Sequence, residues 1–67
     1  MDNFNTILEV RHSLGVARLE LMLAAEKLRG ESSFTNTVRE IDSTVNDLTN
    51  ATNQITDAIN RYNVERL

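Results

Sequence analysis

From Phe34 onward the apolar positions of this chain advance in alternating steps of four and three: Phe34, Val38, Ile41, Val45, Leu48, Thr52, Ile55, Ile59 and Tyr62. Side chains at that spacing form one stripe on one face of an α-helix. In heptad terms Val38, Val45, Thr52 and Ile59 are a residues, and Ile41, Leu48, Ile55 and Tyr62 are d residues. The g positions Thr37, Thr44, Ala51 and Ala58 are small and widen the seam. Residues 44–64 are one seven-residue unit written three times, each copy with a small residue first, Asn third and a larger apolar residue fifth. The opposite face carries Ser43, Asn46, Asp47, Asn50, Asn53, Gln54, Asp57, Asn60 and Arg61. The pattern predicts a helix over about 34–63 with one buried and one wet face. Thr and Asn are mediocre helix formers, so this helix depends on packing more than on propensity. Asp57, Arg61 and Glu65 stand four apart, a ladder that contributes about a few tenths of a kcal/mol per pair.

The first part of the chain has a different pattern. Ile7, Leu14, Leu21 and Leu28 recur every seven residues, with Val10, Ala17 and Ala24 following the first three at i+3. That predicts one seam. A second apolar group, Leu8, Gly15, Val16, Leu19, Met22 and Leu23, lies on another side at about 100° per residue. A helix apolar on two sides is expected to be covered on two sides. Thr6 and Glu9 fit a capping box, placing the start near Asn5 or Thr6. Gly30 fits a left-handed C′ residue closing the helix at about residue 29. Ser32 or Ser33 is a candidate cap for the next helix, and Thr37 to Glu40 offers a further capping box.

Two helices joined at Gly30 give an all-α, two-helix antiparallel hairpin, about 6–29 and 34–63, in a single domain of residues 1–67. With the turn centred on Glu31, Leu28 faces Phe34, Leu21 faces Ile41, Leu14 faces Leu48 and Ile7 faces Ile55. Between these layers Ala24 faces Val38, Ala17 faces Val45 and Val10 faces Thr52. Ile59 and Tyr62 then overhang helix one and need cover from another chain or from the N-terminal residues. The alternative is one continuous helix through Gly30 in a longer coiled coil.

Length and composition narrow the functional classes. A chain of 67 residues with no cysteine has no disulfide framework and is marginal unless its helices pack well or a partner covers it. Net charge is −3, and the seven basic residues Arg11, Arg18, Lys27, Arg29, Arg39, Arg61 and Arg66 are scattered among acids. Sequence-independent binding of phosphate backbones needs a basic stripe, and none emerges. The N-terminus lacks a secretory pattern, and Leu14 to Ala25 is too short and too charged to span a bilayer, so a cytoplasmic location is expected.

Glu9 and His12 form a Glu-x-x-His pair of the kind found in di-iron bundles. Helix two supplies no inward carboxylate at a, d or g, so the pair is expected to be a solvated surface feature. His12 and Ser13 point about 100° apart on a helix and make no relay. No Cys, second His or Gly-rich phosphate loop is present. The chain is therefore expected to be neither an enzyme nor a cofactor or metal protein. Thr52 is a polar a residue, which either fixes register or bonds back to the preceding turn.

The expected function is a non-enzymatic protein–protein interaction module: a small helical-hairpin adaptor, co-chaperone or inhibitor. The expected partner is another protein or a second copy, closing into a four-helix bundle. The candidate partner-binding residues are Leu8, Gly15, Leu19, Met22, Leu23 and Tyr62. The alternative is a dimeric ROP-like RNA-binding regulator using Arg11 and Arg18. A membrane-surface helix over Leu14 to Leu28 is disfavoured by its sparse positive charge.

Overall fold

The computed structural model describes residues 3–66. It consists of helix α1 (Asn3–Leu28), a single 3-10 turn (Ser32–Phe34) and helix α2 (Thr35–Arg66). The helices pack antiparallel as a hairpin, and no strand occurs among the described residues. At about 1.5 Å per residue they run roughly 39 and 48 Å, which accounts for a molecule of 53 × 18 × 13 Å. Its radius of gyration is 15.7 Å, against about 11 Å for a compact chain of this length. Among the described residues this is one layer of two helices.

The reversal uses different chemistry from the expected glycine cap. No described residue has positive φ, so Gly30 is not a left-handed C′ residue. Glu31 takes an extended conformation, φ −101° and ψ 108°, and the chain re-enters a helix through the 3-10 turn. The N–H of Glu31 donates to the Leu28 carbonyl at 2.9 Å, and that of Phe34 to the Glu31 carbonyl at 3.0 Å. The Thr35 hydroxyl donates to the Ser32 carbonyl at 3.0 Å. Tightened i to i+3 bonds thus satisfy groups that the helix ends leave open. Both proposed capping boxes fall inside helices, because α1 begins at Asn3 and α2 at Thr35.

The α2 stripe faces the hairpin as its spacing requires. Val38 and Ile59 are buried, and Ile41, Val45, Leu48, Thr52 and Ile55 are half-buried between them. Phe34 and Tyr62, at the two ends, keep an exposed edge. Of the small g residues only Ala51 is half-buried; Thr37, Thr44 and Ala58 face solvent. The Thr52 hydroxyl donates to the Leu48 carbonyl at 2.8 Å, and Thr49 does the same to Val45 at 3.0 Å. Threonine is tolerated in the seam because its hydroxyl is satisfied within its own helix.

On α1 the expected seam is half right. Leu14, Leu21 and Leu28 are half-buried as the heptad requires. Of the residues that follow at i+3, Ala17 and Ala24 are half-buried as expected, whereas Val10 is 45% exposed, and Ile7, from the leucine column itself, is 36% exposed. The leucine column is joined on its other flank by the residues three before each leucine, Arg11, Arg18 and Ala25, continued at the far end by Phe4. Ala25 is completely buried, the only described side chain that is. Arg11 and Arg18 fit a seam because their three-carbon stems cover apolar surface while the guanidinium reaches water. This choice rotates α1 so that Leu8, assigned above to the second face, is half-buried beside the seam.

The far end of the hairpin is closed from within the chain. The Phe4 ring stacks on Tyr62, centroids 5.0 Å apart and planes inclined 16°. The extra turn at the start of α1 therefore covers the end of α2 that the expected register left overhanging, and Ile59 is buried beneath it. Phe4 facing Tyr62 also lengthens the expected register by a turn at this end. Near the turn, Arg29 bridges the helices to Asp42 at 3.4 Å and meets Glu26 at 3.6 Å. These are the ion pairs among the described residues; Asp57, Arg61 and Glu65 do not close their ladder.

Candidate interaction surface

Burying one line of contact leaves much of α1 open. Val16, Leu19, Met22 and Leu23 are 42%, 59%, 43% and 63% exposed. At about 100° per residue they share one side of α1, turned roughly a third of a circle from the direction of α2. Leu8 and Gly15 border this stripe on the side nearer α2, half-buried. Five of the six expected partner-binding residues therefore lie along one side of one helix. Tyr62 does not join them: it lies on α2 at the far end, against Phe4. Val16, exposed at the centre of the stripe, completes the set.

The surface is shallow. An open depression of about 350 Å³ is lined by His12, Gly15, Val16, Arg18 and Leu19. A Cβ built on Gly15 meets nothing within 4 Å, so this glycine is not a point of close approach within the hairpin. Two further open depressions, of about 250 and 300 Å³, lie near the end of α2 around Arg61, Val64 and Glu65 and around Ile7, Ala58 and Tyr62. Enclosed ligand sites bury most of their ligand, and such depressions do not.

The charges beside the stripe are mixed. Arg11 and Arg18 run along the edge facing α2; Glu9, Glu20 and Lys27, all exposed, run along the opposite edge, and His12 lies within the stripe between Leu8 and Leu19. Among the described residues neither arginine has a carboxylate within ion-pairing distance. Arg29 is different: its hydrogen bond to Asp42 holds its guanidinium pKa above the ordinary value. No three His, Cys, Asp or Glu side chains among the described residues converge to hold a metal ion. Glu9 and His12 share an exposed patch with no third ligand. No described helix is long and apolar enough to cross a membrane.

The accessible area measures how incomplete the hairpin is. It exposes 5352 Å², whereas a compact monomer of 7.6 kDa exposes about 4,300 Å². The excess of about 1,000 Å² is comparable with what each partner buries in a standard interface, about 800 Å². No protein-family model, curated protein or solved structure matches the chain.

Proposed function

We propose that the chain is a non-enzymatic protein–protein interaction module, a small hairpin adaptor, co-chaperone or inhibitor, whose working surface is the outer side of α1. One observation supports this most: four large apolar side chains, Val16, Leu19, Met22 and Leu23, stand exposed together on one helix. Singly exposed apolar residues need no explanation, but a contiguous stripe marks a surface that another molecule covers. Burying a leucine fully contributes about 1.5–3 kcal/mol relative to leaving it in water. Leu19 and Leu23, 59% and 63% exposed, would together contribute roughly 2–4 kcal/mol toward a complex, with Val16 and Met22 adding to it. Phe4, Tyr62 and Ile59 serve a different role, holding the far end of the scaffold together.

The RNA-binding alternative gains no support from the geometry. Arg11 and Arg18 are half-buried in the hairpin seam and do not make a basic face.

Light scattering over a concentration range, on the wild type and on Leu19→Asp with Met22→Asp, tests the proposal. The wild type is expected either to self-associate or to be largely unfolded without a partner, and the variant to lose association. A helical wild-type monomer at every concentration, with the variant indistinguishable from it, refutes it.

A further inference from the structure

We draw no further inference here: the strongest candidate, the exposed apolar stripe of Val16, Leu19, Met22 and Leu23 on the outer side of α1, is an unpartnered face with mixed charge along its edges, and nothing in the structure shows what covers it.

Discussion

Replacing Ile59 by Ala, with Val10→Ala as its counterpart, separates the seam that forms from the seam the apolar pattern suggested. Ile59 is 7% exposed, so nearly all of its side chain leaves water on folding. Ile→Ala removes three carbons, and at about 0.8 kcal/mol each the loss is roughly 2.4 kcal/mol. Alanine's better helix propensity returns about 0.4 kcal/mol, leaving about 2 kcal/mol. Val10 is 45% exposed. Removing two carbons there loses about 0.9 kcal/mol, and propensity returns about half of it. For a domain of this size 1 kcal/mol shifts the midpoint by about 4–8 °C. Ile59→Ala should therefore melt roughly 8–16 °C lower, and Val10→Ala within about 4 °C of the wild type. Thermal unfolding followed by far-UV circular dichroism at one fixed chain concentration makes the comparison, since association itself moves the midpoint. A Val10→Ala loss as large as that of Ile59→Ala would show that Val10 faces Thr52 after all, and that the rotation of α1 is wrong.

Gly15→Ala should stabilise the hairpin by about 0.5–1 kcal/mol, because the added methyl meets nothing and mid-helix glycine is unfavourable; a lower midpoint would contradict the open surroundings of Gly15. Gly30→Ala should be neutral or slightly stabilising, since Gly30 takes no positive φ; a marked loss would restore the left-handed cap. A double-mutant cycle on Phe4→Ala and Tyr62→Ala should give a coupling of about 0.5–1.5 kcal/mol for the stacked rings, and zero coupling would remove the far-end closure. Arg29→Ala should leave the midpoint within error of the wild type, because its pairs with Asp42 and Glu26 are solvent-exposed; a clear drop would show that the turn depends on them.

How much was legible in the sequence differs between the two helices. α2 could be read almost residue by residue, because its apolar stripe is single and its back is uniformly polar. Only one orientation buries Val38, Val45 and Ile59 together. α1 offers apolar residues on several sides, so the pattern fixed the column Leu14, Leu21 and Leu28 but not the column beside it. Reading by residue type found Ala17 and Ala24, which are half-buried, and Val10, which is not, but passed over Phe4, Arg11, Arg18 and Ala25 on the other flank. Hydropathy counts an arginine by its charge, whereas a seam between two exposed helices uses its stem. The one usable signal was the seven-residue recurrence of Arg11, Arg18 and Ala25, with Phe4 in phase. The start of α1 was misplaced for a related reason: capping boxes are local signatures, and packing of Phe4 on Tyr62 extends α1 beyond the one at Thr6. The outer stripe was visible in outline because Leu19, Met22 and Leu23 lie on the side opposite any orientation that buries the leucine column. For Tyr62 only the need for cover was legible, because the ring that stacks on it, Phe4, lies at the far end of the chain.

Methyl NMR with a soluble paramagnetic probe, on the native chain at high and low concentration, tests most directly whether the outer side of α1 is an association surface. The methyls of Leu19 and Leu23 are expected to be shielded at high concentration and to become accessible on dilution, while Val38 and Ile59 stay shielded throughout. Full accessibility of Leu19 and Leu23 at every concentration, in a chain that remains helical, would contradict self-association through this face.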